Sequence, residues 1–292
     1  MKLLLLGAGG QVGRALSRTL PSLGTVVPTT RSGVLVDGTP CEALDVADAA
    51  AVGRMIERVA PDVVVNAVAY TAVDRAEDDV ETAYAVNARA PAAMAAACAD
   101  VGATLVHYST DYVFDGTATR PYREDDPTAP LGVYGASKLA GERAVADSGA
   151  RHLILRTAWV YDLHGHNFLR TMLRLAAERD ELRVVDDQRG TPTPVWLIAE
   201  TTTALLRTPD VPGGILHLTA SGEASWCEFA GAIIQRGVST GLLHRSPRLV
   251  PISTGDYPTR ARRPAYTVLD TSRLSRYVVL PSWRNALDST LR

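Results

Sequence analysis

Apolar and polar positions along this chain fall into blocks whose period switches back and forth. Residues 2–6 (KLLLL) carry a short apolar run of four leucines that stops at Gly7, Gly9 and Gly10, after which Val12, Leu16 and Leu20 recur at helical spacing. Short apolar or β-branched runs return at 25–28, 61–66, 105–108 and 152–155, which predicts strands buried on both faces. Helical patterns lie between them, at about 48–59, at about 80–101 (alanine-rich) and in a helix opening at Val133. Such an alternation of strand and helix predicts an α/β fold, a doubly wound parallel sheet of the Rossmann type, with its sites at the carboxyl ends of strands.

Beyond residue 160 the pattern loosens. Helices are expected at about 167–179 and 195–207, strands at Leu182–Val185 and around His217–Leu218, and a helix over Ser225–Arg236 opened by a capping box of Ser225 and Glu228. We therefore divide the chain into a dinucleotide-binding domain, 1–160, and a smaller substrate-binding region, 161–292, some of whose segments return to the first domain.

Composition narrows the function classes. The chain has 292 residues, 46% hydrophobic and 21% charged, as in a soluble globular protein. A net charge of −2 gives no general attraction to nucleic acid or to membranes. The four leucines at the start are too few for a signal peptide, and no apolar run reaches the roughly 18 residues that a membrane span needs. Cys41, Cys98 and Cys227 are far apart and odd in number, which argues against disulfides or a zinc site and for a reducing, cytoplasmic setting.

The chemistry begins at the first turn. Gly7, Gly10 and Gly13 stand between a strand and a helix, where glycine lets the backbone turn tightly and approach an anion at the helix N-terminus. Gln11 and Val12 complete this candidate pyrophosphate site. After the second strand an acidic residue would hold the ribose 2′-hydroxyl of NAD, but residues 29–32 offer hydroxyls and Arg31 instead. An arginine suits a 2′-phosphate, so the expected cofactor is NADPH, with NADH left open. Asp45 and Val46 fall where such sheets meet the adenine. The small residues Ala67, Val68 and Ala69 let the backbone pass close to a cofactor.

A second motif opens the helix at Val133. Tyr134 and Lys138 stand at i and i+4, on one helical face. An ammonium beside a phenol favours the phenolate, so the spacing predicts a tyrosine pKa below the ordinary value of about 10 and a group able to move a proton near neutrality. The strand 105–108 ends in Ser109, Thr110 and Asp111, a hydroxyl pair and an acid at a carboxyl end.

Glycine triplet, strand-end hydroxyls and Tyr-x-x-x-Lys occur in the order seen in the extended short-chain dehydrogenase/reductase family. The chain resembles its dTDP-4-dehydrorhamnose reductases most closely. The likeness runs through Gly7–Gly13, Val65–Ala67, Tyr70–Asp74, His107–Gly116, Val133–Gly135, Lys138–Glu142, Arg156–Tyr161, Asp187–Gln188 and Gly190–Thr193, and thins beyond about residue 237. The resemblance implies NAD(P)H-dependent reduction of the 4-keto group of a dTDP-deoxysugar. Tyr134 would protonate the carbonyl oxygen, Lys138 would lower the tyrosine pKa and hold the nicotinamide ribose, and Thr110 would bond the same oxygen. Tyr108 joins the implied cofactor contacts, and Asp111 and Trp159 the substrate contacts. Arg260, Arg262 and Arg263 are candidates for the substrate diphosphate. Some relatives are metal-bridged dimers with acidic residues where this chain has Ala15 and Trp196, so no such metal is expected, and monomer or homodimer stays undecided. Two other readings stay open, a sister ketoreductase for antibiotic deoxysugars and a non-catalytic NADP-binding subunit resembling the beta subunit of methionine adenosyltransferase.

Overall fold

The computed structural model describes residues 1–209, 211 and 213–292. Seven parallel strands form the central sheet: β1 (Lys2–Leu6), β2 (Thr25–Thr30), β3 (Glu42–Ala43), β4 (Val63–Asn66), β5 (Thr104–Thr110), β6 (Arg151–Thr157) and the late strand Gly214–His217. Their order is late strand, β6, β5, β4, β1, β2, β3, so the winding reverses between β1 and β4. The expected doubly wound sheet is therefore present, and its reversal marks the crevice where such sheets bind ligands. Leu6 pairs in register with Asn66, and Asn66 with His107, so the ends of β1 and β4 lie level and β5 runs three residues further, to Thr110.

Strand alternation explains the opening run of leucines. Leu3 and Leu5 face one side of the sheet with Leu16, Val65, Val106 and Ile198, while Leu4 and Leu6 face the other with Ile56, Val64, Met94 and Ile154. Each fully buried leucine contributes about 1.5–3 kcal/mol, so β1 anchors the Gly7 turn firmly. Helix α1 (Gln11–Thr19) and the Val195–Arg207 helix cover the first side; α2 (Ala49–Val59) and the Ala90–Val101 helix cover the second. The late strand pairs with β6, so part of the C-terminal half joins this sheet. A separate apolar cluster, including Tyr161, Leu169, Phe229, Ile233 and Trp283, organises most of the rest, where Glu181–Val185 pairs with Arg248–Ile252. The capping box of Ser225 and Glu228 opens a helix that runs three residues past its expected end, over Trp226–Ser239.

One expected element is broken. Residues 80–101 form a short helix, Val80–Tyr84, a π-helical turn, Ala85–Arg89, and a helix, Ala90–Val101. The wide turn carries Asn87, whose amide donates to the Tyr70 carbonyl (3.1 Å) and to the Ser137 hydroxyl (3.0 Å) while its oxygen accepts from the Tyr70 N–H (2.9 Å). A helix widened by one residue often marks a functional position. Here it ties the loop after β4 to the helix of Tyr134.

Candidate active site

The glycine turn has the shape of an anion cradle. Gly7 has φ +82°, and a methyl group there would meet Val68 Cγ2 at 2.7 Å. At Gly13 a methyl group would lie 2.0 Å from the Gly7 carbonyl oxygen, so α1 can sit on β1 only without a side chain. Gly10 precedes helix α1 as its N-cap and offers no side chain, leaving the amides of Gln11, Val12 and Gly13 without a capping side chain. These observations fit a dinucleotide pyrophosphate. The Gln11 side chain is engaged elsewhere: it accepts from Asn167 Nδ2 (2.8 Å) and donates to the His166 carbonyl (3.4 Å), so only its backbone faces the cradle.

Around the ribose and adenine positions the expected residues lie on loops after strands. Arg31 is exposed at the end of β2 and, among the described residues, has no ion-pair partner. Asp45 accepts from the Ala47 N–H (3.0 Å) in a tight turn, and Val46 is buried beside it. Ala67, Val68 and Ala69 follow β4, half-buried, with the Val68 N–H donating to Asn66 Oδ1 (3.0 Å).

The helix Val133–Ala146 carries the proton chemistry. Two glycines let it pack against backbone: a methyl group on Gly135 would come within 2.2 Å of the Tyr112 carbonyl oxygen, and one on Gly141 within 2.1 Å of the Asn87 carbonyl oxygen. Glu142 then locks the helix to β6 through two hydrogen bonds from Arg156, at 2.9 and 2.7 Å, with both side chains 3% exposed. Packing and charge together fix where Tyr134 and Lys138 stand.

Lys138 is 2% exposed and donates to the Tyr108 carbonyl at 2.6 Å. Its Nζ also lies 3.4 Å from Nε2 of His107, a buried residue whose Nδ1 meets the Asn66 amide at 3.0 Å. Because Asn66 Oδ1 already accepts from Val68, the amide nitrogen is the end that faces His107. Burial draws the Lys138 pKa down to about 8, with Glu142 opposing, and burial and the Lys138 charge keep the imidazole neutral. Tyr134 differs from expectation. Burial pushes its pKa up to about 12, with the Thr110 hydroxyl opposing and the Asp111 charge adding to the rise, so at neutral pH it is a protonated phenol. The spacing rule assumes an ammonium at the phenol, but Lys138 Nζ is bound to the Tyr108 carbonyl and desolvation dominates the phenol. A phenol that keeps its proton is what a reduction requires of its acid.

The end of β5 brings the remaining groups together. The Thr110 hydroxyl accepts from the Tyr112 N–H (3.2 Å) and donates to Asp111 Oδ1 (3.0 Å). The Tyr112 ring meets the Tyr134 ring edge-on at 5.7 Å. Asp111 is buried, its Oδ2 has no hydrogen-bond partner, and burial raises its pKa to about 6, with the nearby Thr267 and Thr110 hydroxyls opposing. Tyr108 departs from its implied role, because its hydroxyl is buried against Thr202 (2.7 Å) and only its carbonyl reaches the site, through Lys138.

Trp159 sits half-buried in the left-handed region (φ +46°), a conformation that costs a non-glycine residue about 1–3 kcal/mol and gathers at ligand sites. Its indole stacks on Trp226 (centroids 3.5 Å, 5° between planes) and presses on Gly190, where a methyl group would lie 2.5 Å away. Two of the tail arginines are committed to carboxylates: Arg263 pairs with Asp74 (2.7 Å) and Arg260 with Asp78 (2.5 Å), while Arg262 is exposed. Sequence reasoning missed Asn66, Asn87, Glu142, Arg156 and Thr267 as parts of this framework. Asn66, Glu142 and Arg156 lie inside stretches that carry the resemblance but had no role assigned to them, and Asn87 and Thr267 stand outside those stretches.

A family model described as the RmlD substrate binding domain matches residues 1–292. A dTDP-4-dehydrorhamnose reductase of Burkholderia thailandensis is 46% identical, covering 100% of this chain and 98% of that protein. The enzyme of the same name from Escherichia coli K12 is 42% identical over 97% of this chain and 95% of its own. Among solved structures, dTDP-4-dehydrorhamnose reductase from Bacillus anthracis in complex with NADP superposes with a TM-score of 0.89 at 33% identity, covering 99% of this chain and 98% of that one. The chain belongs to the RmlD family of dTDP-4-dehydrorhamnose reductases.

Proposed function

We infer that this protein is an NADPH-dependent oxidoreductase that reduces the 4-keto group of dTDP-4-dehydro-6-deoxy-L-mannose to give dTDP-L-rhamnose. The observation that carries the reading is the convergence, at the ends of β1, β4 and β5, of a glycine cradle with Tyr134, Lys138 and Thr110. NADPH, when bound, supplies the hydride. Gly7, Gly10, Gly13 and the α1 amides hold its pyrophosphate, Arg31 meets a 2′-phosphate, and Asp45, Val46 and Ala67–Ala69 line the path between. Tyr134 donates the proton to the carbonyl oxygen, Thr110 bonds the same oxygen, and Lys138 orients the cofactor ribose. General acid catalysis of this kind contributes about 10² to 10⁴ in rate. We assign 1–160 to cofactor binding and 161–292 mainly to the nucleotide sugar, with Trp159 at the deoxysugar.

Among the described residues no helix is long and apolar enough to cross a membrane. The cysteines are free, which supports placing the protein in the cytoplasm. The test is purified protein with enzymatically generated dTDP-4-dehydro-L-rhamnose and NADPH, followed at the nicotinamide absorbance and by NMR of the product. The reading expects NADPH consumption and the rhamno configuration. Another configuration at C4 indicates a sister ketoreductase, and tight NADPH binding without turnover indicates a binding subunit.

A further inference from the structure

The Thr110 hydroxyl has more partners to serve than it has hydrogens. A threonine hydroxyl has one hydrogen and two lone pairs. Here Oγ1 accepts from the Tyr112 N–H and gives its only hydrogen to Asp111 Oδ1, so none remains for a substrate oxygen. A neutral Asp111 reverses this. The acid's own hydrogen points at Oγ1, which can accept a second bond, and the threonine hydrogen turns free. The carboxyl is buried, and Oδ2 lacks a partner. An ionised carboxylate with an open oxygen is the costly form in such a place.

We propose that Asp111 is a positioning residue whose proton decides whether the Thr110 hydroxyl can donate to the substrate carbonyl oxygen. This rests on the keto-reduction reading and sharpens it, since Asp111 acts through Thr110. The groups that face the carboxyl are Thr110 on the strand end, Tyr112 on its own turn, Tyr134 on the helix and Thr267 on the C-terminal tail; the Arg263–Asp74 pair bears on Tyr112. The Thr267 hydroxyl, which bonds the Arg189 carbonyl at 3.5 Å, lies near the carboxyl and opposes the rise of its pKa.

The test is kcat/KM between pH 5 and 8.5 for the wild type, Asp111→Asn and Thr267→Val. With the Asp111 pKa near 6, wild-type kcat/KM should fall at least threefold as pH rises from 5 to 7.5. Asp111→Asn places an amide donor against Thr110 and should lose that limb, holding at pH 7.5 the level the wild type reaches in acid. Thr267→Val removes a stabiliser of the carboxylate and should move the limb to higher pH, and it serves if the asparagine variant does not fold. Any limb from Lys138, near pH 8, should persist in all three. A wild-type limb in Asp111→Asn, an unmoved limb in Thr267→Val, or an Asp111→Asn protein that binds NADPH normally but is inactive throughout would overturn the proposal. A wild type that never oxidises NADPH fails the keto-reduction reading instead, whereas a flat but active wild-type profile fails this inference alone.

Discussion

The Glu142–Arg156 pair holds the helix of Tyr134 and Lys138 against the sheet, and its removal has a calculable cost. Glu142 lies one turn beyond Lys138, and Arg156 pairs in register with Ser109, next to Thr110. Replacing Glu142 by Gln leaves one acceptor oxygen and turns an N–H₂ toward a guanidinium that is almost wholly buried. Breaking a buried ion pair by removing one partner costs about 3–5 kcal/mol, because the remaining charge is desolvated without compensation. Arg156 keeps a hydrogen bond to the Glu124 carbonyl (3.3 Å) and a place over the Phe114 ring (5.1 Å to its centroid), so the loss should lie at the low end, about 3 kcal/mol. That is a large share of the roughly 5–15 kcal/mol that holds a domain folded. Urea unfolding followed by circular dichroism measures it as a lower midpoint at unchanged slope. Glu142→Leu with Arg156→Met should recover most of the loss, since an apolar pair leaves no stranded charge. A loss under about 1 kcal/mol for Glu142→Gln, or a double variant as unstable as the single one, would refute the argument.

Gly13→Ala drives a methyl group into the Gly7 carbonyl and should weaken NADPH binding more than tenfold, at a stability cost of about 1–3 kcal/mol; a calorimetric Kd within twofold of the wild type contradicts the cradle. Arg31→Ala should weaken NADPH more than NADH, and equal losses for the two remove Arg31 from the site. Asp111→Asn carries a stability sign as well. The folded pKa of Asp111, about 6, exceeds the ordinary value of 3.8, so the native state binds more protons between these limits and wild-type stability declines through that window as pH rises. The variant should therefore gain about 2–3 kcal/mol over the wild type at pH 8 relative to pH 4, and an equal difference at both pH values excludes a buried ionisable carboxyl here.

Much of the fold was legible because strand, turn and helix each left a local mark. Four leucines followed by glycines locate β1 and its turn, and Ser225 with Glu228 announces its helix. The π-helical turn at Ala85–Arg89 left none. It exists because Asn87 binds Tyr70 and Ser137, partners 17 and 50 residues away. The site divides the same way. Tyr134 and Lys138 share a helical face as spacing requires, but the phenol pKa depends on burial by groups distant in sequence, and the expected lowering became a rise. Trp159 stacking on Trp226 and the tail arginines pairing with Asp74 and Asp78 are likewise long-range packing, invisible to periodicity.

The most direct measurement on the central claim compares Tyr134→Phe with the wild type at pH 7, in turnover of dTDP-4-dehydro-L-rhamnose and in NADPH affinity. The phenyl ring keeps the edge-on contact with Tyr112 and removes only the hydroxyl. Turnover should fall at least a hundredfold, within the range general acid catalysis supplies, while NADPH affinity stays within about twofold. Turnover near the wild-type rate would contradict Tyr134 as the proton donor.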